Sequence, residues 1–258
     1  MDGRRRGHDD GCGSFQHQSR SNLLHLRLAL LQALLPAERL GNDLIEVVEP
    51  EGNVVGLMTH FASSETDEAF TRRQLETFLE ATAPFPGIPR HAANSAAALT
   101  LPEARLDAVR CGIAIYGIDP FGADARTHGL RPALRWETTL ARVVELRPGE
   151  STGYGRRFVA GAPTWIGQVP VGYADGFVRA LTGATVVVDG EECEVVGTIS
   201  MDALAVRLPA RRDVGTPVTL VGGEATLERH ARVAGTIAYE LACGLRPGPA
   251  RATRVVTP

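Results

Sequence analysis

Val54-Val55-Gly56-Leu57-Met58-Thr59-His60 is an apolar run that closes on a histidine, and an amphipathic stretch follows it. Such a short run of Val, Leu and Met suits a strand buried on both faces. Asp67 to Ala81 then suits a helix with Phe70, Leu75 and Phe78 along one side. Pro89 to Asn94 repeats the short-strand pattern, Ser95 begins a second helix, and Ala108 to Tyr116 reads as a third strand. Buried strands alternating with helices imply parallel βαβ units, and polar groups at the ends of such strands are typical of a TIM barrel.

Downstream of about Arg131 the pattern changes. Thr139–Leu146, Trp165–Val169, Ala184–Val188, Glu194–Val196, Leu204–Leu208 and Pro217–Val221 are candidate strands. Pro148-Gly149, Asp189-Gly190 and Gly222-Gly223 are turn signals between them. This spacing predicts a compact antiparallel sheet or barrel, and Thr226 to Cys243 a closing helix. The expected class is therefore α/β plus β: a partial TIM barrel, its last few βα units, followed by an antiparallel β-rich C-terminal domain. Three parts result: an atypical segment over 1–53, a partial barrel over 54–128, and a β domain over 129–258. The first part opens with a Gly/Arg/Asp-rich stretch, Met1 to Gly13, of disordered character. It also holds one apolar helix pattern, Asn22 to Leu35. No internal repeat is present.

Composition is that of an ordinary globular protein, with 44% hydrophobic and 22% charged residues and a formal net charge of -3. Scattered basic residues and the slight negative charge argue against nucleic acid as a partner. Without an apolar run of bilayer length or a secretory signal, neither membrane nor export is expected. Cys12, Cys111, Cys193 and Cys243 form no C-x-x-C pair, which favours reduced thiols and a cytoplasmic location. His8, Asp9, Asp10 and Cys12 have no ligand spacing of a known metal site, so no metal is expected. All 27 residues counted as Lys+Arg are Arg. A guanidinium stays protonated at any accessible pH and does not replace an amine nucleophile.

Six segments carry polar or glycine-rich chemistry. Met58-Thr59-His60-Phe61-Ala62 puts His60 at a strand end, as a backbone-satisfied core histidine or as the wall of a cofactor pocket. His91-Ala92-Ala93-Asn94-Ser95 places Ser95 at a strand-to-helix junction. There it serves either as an N-cap or as part of a phosphate cradle at a helix start. In Val109-Arg110-Cys111-Gly112-Ile113, a charge beside an apolar strand needs solvent or a partner, and Gly112 admits close backbone approach. Gly153-Tyr154-Gly155, Gly172-Tyr173-Ala174-Asp175-Gly176 and Gly197-Thr198-Ile199-Ser200-Met201-Asp202 each read alone as a tight turn.

Taken together and in order, the six segments resemble alanine racemase from about Val54 to about Glu240. The resemblance implies a barrel holding pyridoxal 5'-phosphate, a C-terminal β domain, and a dimer that sets this domain over the partner's barrel mouth. Ser95 with its neighbour Asn94, and the backbone at Gly112 and Ile113, would hold the cofactor phosphate. Arg110 would donate to the pyridine nitrogen, with His60 beside the ring and bonded to Arg110. Tyr154 would be one of two acid/base groups on opposite faces of the substrate, which racemisation requires. Met201 would offer its backbone to substrate in the partner's site, and Tyr173 would line the entry.

The chain departs from the family in three ways. The K-A-N-A-Y-G-H-type segment with the cofactor lysine is absent, so no covalent attachment of the cofactor is possible here. A D-T-G-M-G-R-type segment is also absent, and Pro247-Gly248-Pro249-Ala250-Arg251 replaces an R-V-P-R-type ending. The expectation is a truncated racemase, inactive alone, with alanine as the family substrate. A second reading is a non-catalytic partner that dimerises with a complete racemase and donates Tyr154 and Met201 in trans. A third is an enzyme using His60, Tyr154 and Arg110 without the cofactor linkage.

Overall fold

The computed structural model describes residues 55–246, 248, 252–253 and 255–256. The expected helix over Asn22–Leu35 and the Met1–Gly13 stretch lie outside the described residues, as does most of the tail segment from Pro247. The chain divides into two compact units, Met1–Arg110 and Cys111–Pro258, so the break precedes the 128/129 boundary drawn from sequence.

In the first unit, β1 (Leu57–Met58) leads into α1 (Glu68–Thr82), and β2 (Arg90–His91) leads into α2 (Ser95–Thr100). β1 and β2 are parallel, with Leu57 opposite Arg90 and Met58 opposite His91. Ala108 adds a parallel bridge to His91. A parallel pair needs a long crossover, and α1 provides it. Asp67 caps α1, its carboxylate accepting from the Phe70 N–H at 2.8 Å. The buried face of α1 is Thr71, Gln74, Leu75, Phe78 and Thr82, a 3–4 spacing that meets Phe61, Ala92, Ala93 and Leu101. Phe70 sits at the edge of this face under the Arg73 guanidinium rather than on it.

Two expectations for this unit change. Val54–His60 reads as a strand, yet among its described residues only Leu57–Met58 is paired as strand. Ala108–Tyr116 is not a third strand: beyond the Ala108 bridge the backbone turns at Gly112 and makes one 3-10 turn over Ile113–Tyr116. Apolar composition reports burial, while ladder pairing depends on what lies alongside.

The second unit carries β3 (Trp136–Thr139), β4 (Arg142–Leu146), β5 (Ser151–Thr152), β6 (Phe158–Val159) and β7 (Thr164–Val169). It continues through β8 (Thr185–Val188), β9 (Glu191–Val196), β10 (Leu204–Leu208) and β11 (Pro217–Val221). β5 and β6 pair with each other. The other seven strands form one antiparallel sheet in the order β3-β11-β8-β9-β10-β7-β4. Its outermost strands, β3 and β4, are successive in sequence and joined only by Leu140 and Ala141. Leu140 N–H donates to Thr216 O at 2.9 Å on one side, and Ala141 N–H to Gln168 O at 2.8 Å on the other. Two residues bridge the two edges, so the sheet curls back on itself towards a barrel. Thr139–Leu146, expected as one strand, is therefore two, broken where the chain crosses between edges.

α3 (Leu227–Ala234) and α4 (Ala238–Gly244) replace the single helix expected over Thr226–Cys243. Thr226 caps α3, and Gly235 at φ +69° ends it. The core is apolar, built on Val186, Val195, Val206, Val218, Leu220 and Phe177.

A histidine is buried among these apolar groups. His230 of α3 is 1% exposed, its Nε2 sits 3.1 Å from Thr185 O, and its Nδ1 has no hydrogen-bond partner. Its ring packs edge-on against Phe177. Burial first, and the Arg229 charge after it, push the imidazole pKa below the ordinary 6.5, against the opposing bond to Thr185. The unfolded chain therefore takes up a proton below about pH 6.5 that the folded unit refuses. His230 costs no stability above that pH and an increasing amount as pH falls through the window beneath it. Thermal melts followed by tryptophan emission should show Tm dropping as pH falls below about 6.5, and the slope should shrink in His230→Phe. An equally steep slope in that variant would assign the acid sensitivity to another group.

Candidate active site

The unit of β1 and β2 gathers its polar groups around Arg110. Asp107 N–H donates to Arg90 O at 3.0 Å and Arg110 N–H to Ala93 O at 2.8 Å, which lays residues 107–110 beside β2. From there the guanidinium reaches across both strand ends. Nη1 donates to His91 Nδ1 and to His91 O, each at 2.9 Å. Nη2 donates to Thr59 O at 2.8 Å, His60 Nδ1 at 3.2 Å and Ala92 O at 3.2 Å. Arg110 has no acceptor lone pair, so both imidazoles accept at Nδ1 and carry their proton on Nε2 when neutral. Burial, then the Arg110 charge, holds the His91 pKa below its usual value. Nε of Arg110 has no partner among the described residues and remains a donor.

Thr59-His60-Phe61-Ala62, between β1 and α1, is held from α1. Buried Gln74 donates from Nε2 to Thr59 Oγ1 and to His60 O, and accepts the Ala62 N–H at Oε1. Asn94, not Ser95, is the N-cap of α2: its Oδ1 accepts the Ala97 N–H at 3.1 Å and its Nδ2 donates to Ser64 Oγ at 2.7 Å. Ser95 is the first helical residue and is 3% exposed. The capping alternative for Ser95 falls, because the extended backbone and short polar side chain that make a cap belong to Asn94. His91 and Gln74 are partners of this cluster that the sequence did not single out. His91 had a signal, a histidine on a buried strand near an arginine that needs acceptors; Gln74 had only its polarity within an apolar helix face.

The second unit holds the other expected residues. Gly112 precedes the 3-10 turn over Ile113–Tyr116, with open space on its Cα, and the Ile113 side chain packs into the core. Tyr154, Tyr173 and Met201 lie on three loops that are bonded in series. Tyr154 O accepts from Thr198 Oγ1 at 2.8 Å. Tyr173 N–H donates to Ser200 O at 3.0 Å, and Ala174 N–H to Met201 O at 2.9 Å. The Met201 carbonyl is thus committed, and its N–H has no partner among the described residues. All three side chains face solvent: Tyr154 is 74% exposed, Met201 59% and Tyr173 42%.

Glycine permits this contact between loops. A Cβ on Gly153, at φ +79°, would meet Thr198 N at 2.8 Å, and one on Gly172 would meet Ser200 O at 2.3 Å and Met201 C at 2.5 Å. Gly172→Ala should therefore cost about 1–3 kcal/mol and detach the Tyr173 turn from the Met201 turn. Denaturation of the purified variant reads the cost, and amide exchange at Tyr173 and Ala174 reads the separation. Unchanged exchange there would show that the two turns are not held by this approach.

Among the described residues, no group of three or more His, Cys, Asp or Glu is placed to hold a metal ion, and no helix is long and apolar enough to cross a membrane. Residues 35–120 match the alanine racemase N-terminal domain and residues 133–255 the alanine racemase C-terminal domain. The chain belongs to the alanine racemase family. The N-terminal match begins at residue 35, ahead of the Val54 from which the resemblance was read.

The alanine racemase of Lactiplantibacillus plantarum is 38% identical over 239 residues, an overlap of 87% of this chain and 64% of that protein. The crystal structure of the E. faecalis alanine racemase superposes with a TM-score of 0.70 at 40% identity, covering 76% of this chain and 55% of that one. The Bartonella henselae alanine racemase, solved with covalently bound pyridoxal phosphate, gives 0.69 at 28% identity over 76% of this chain and 55% of its own. The chain thus spans from about half to under two thirds of the length of these family members.

Proposed function

We propose that this chain carries the arginine- and tyrosine-bearing part of an alanine racemase, serving interconversion of L- and D-alanine with pyridoxal phosphate, and that its residues by themselves are inactive. The three-part division into 1–53, 54–128 and 129–258 belongs to the same proposal, with the family match reaching back into the first part as far as residue 35. Its main support is Arg110: both terminal nitrogens are committed to backbone carbonyls and to the Nδ1 atoms of His60 and His91, while Nε–H stays available.

That donor fits a pyridine nitrogen, because a guanidinium gives a hydrogen bond there without surrendering its proton. The fit is partial, since the amine that would anchor the cofactor is not among these 258 residues. Pyridoxal phosphate, when bound, supplies the electron sink that renders an amino-acid Cα acidic. Arg110 would donate to the ring nitrogen without protonating it and so moderate that sink, and His60 would stand beside the ring. Asn94 shapes the turn from which Ser95 would hold the phosphate, a role that the resemblance also gives to the Gly112 and Ile113 backbone. Tyr154 would move a proton at Cα on one face, Met201 would offer its backbone to substrate in the partner's site, and Tyr173 would line the entry. A lysine would serve the opposite face, and none is present.

The exposed loop cluster of Tyr154, Tyr173 and Met201 also favours a second reading, in which the chain docks on a complete racemase and donates Tyr154 and Met201 in trans. One experiment addresses both. The chain is co-produced with a full-length relative whose own catalytic tyrosine is replaced by phenylalanine, and D-alanine formation is measured. Restored activity that is lost with Tyr154→Phe supports a working tyrosine half acting in trans. A co-purified but inactive complex counts against a working tyrosine half, and no complex removes the second reading.

A further inference from the structure

The Gln74 carboxamide is only 3% exposed, on the apolar face of α1 beside Leu75 and Phe78. A buried carboxamide is costly unless its hydrogen bonds are made. All of those bonds go to one short segment: Nε2 donates to Thr59 Oγ1 at 3.2 Å and His60 O at 2.9 Å, and Oε1 accepts Ala62 N–H at 3.1 Å. Sheet pairing does not hold this segment, since β1 ends at Met58 and the cap of α1 is Asp67. Yet Thr59 O and His60 Nδ1 are two of the acceptors on which Arg110 Nη2 rests.

We propose that Gln74 is a positioning residue for Arg110 and His60. It fixes residues 59–62 from the helix side, so that the guanidinium finds its acceptors and its Nε–H keeps one direction. Only the purpose assigned to the Arg110–His60 pair rests on the racemase reading; the positioning itself does not.

The test uses the full chain without cofactor, labelled with ¹⁵N. Long-range imidazole correlations read the His60 tautomer, and the Arg110 Nη–H signals read exchange with water. In the parent, His60 should carry its proton on Nε2 and the Nη–H signals should be protected. In Gln74→Met, His60 should relax to mixed tautomers and Nη–H exchange should quicken roughly tenfold. Thr82→Val is the control: its buried hydroxyl bonds only to Phe78 O and Leu79 O within α1, so it perturbs the same face without touching residues 59–62. If Gln74→Met does not fold, Thr59→Val removes one Gln74 bond and should shift both readouts in the same direction, by less.

The proposal is overturned if the parent lacks the Nε2–H tautomer. It is also overturned if the folded variant leaves both readouts unchanged, or if Thr82→Val moves them as far. Failure of the racemase reading would show in alanine assays and leave these spectra as they are.

Discussion

Arg110→Leu should lower the stability of the first unit by about 3 kcal/mol, with α1 amides exchanging on the order of a hundredfold faster. The substitution strips donors from Thr59 O, His91 O and Ala92 O and from the Nδ1 atoms of His60 and His91. Each acceptor left dry costs about 1–3 kcal/mol. The site is only half-buried, so water recovers part of that sum. Hydrogen exchange is the proper probe, because Trp136 and Trp165 both lie in the second unit and their emission does not report the first. His91 gives a second readout. Its pKa is depressed by burial first and by the Arg110 charge second, so the variant should raise it only part of the way to its ordinary value. Unchanged α1 exchange would mean that the guanidinium does not organise the strand ends.

Incubation with pyridoxal phosphate followed by borohydride should add no cofactor mass to any side chain. Reduction traps a linkage between the aldehyde and a primary amine, and none of the side chains here offers one: Lys+Arg totals 27, and every one is Arg. The α-amine of Met1 is the one primary amine present, so a terminal peptide carrying the label is an allowed background. Peptide mapping separates it from internal labelling. A stable adduct on an internal peptide would contradict the absence of an anchoring group. Any binding that remains is non-covalent and should weaken in Arg110→Leu.

The polar ends of the elements were legible in sequence to different degrees. His60 and Arg110 announced themselves, since a histidine closing an apolar strand and a charge beside one both need partners. The partners were harder to read: His91 lies 19 residues from Arg110 and Gln74 lies 14 from His60, and proximity across a fold is not a local property. Strand extents were overread for a related reason. Val54–His60 and Ala108–Tyr116 are apolar enough for strands, yet among the described residues pairing covers only Leu57–Met58 in one and the Ala108 bridge in the other. In the β-rich unit, Leu204–Leu208 and Pro217–Val221 were found to the residue, because period-2 burial there coincides with pairing on both sides. The break at Leu140–Ala141 was not, because it follows from curling of the sheet rather than from any turn signal. The bonded series of Tyr154, Met201 and Tyr173 loops depends on backbone contacts that glycines permit but do not announce.

The most direct test of the central claim is chiral chromatography of L-alanine incubated with the purified chain and pyridoxal phosphate. The expected result is no D-alanine beyond that formed by the cofactor alone in the same buffer, because a tyrosine face without a lysine face does not complete the exchange. D-Alanine formed faster than that background, and lost on Tyr154→Phe, would contradict it and show that these residues racemise alanine without a lysine.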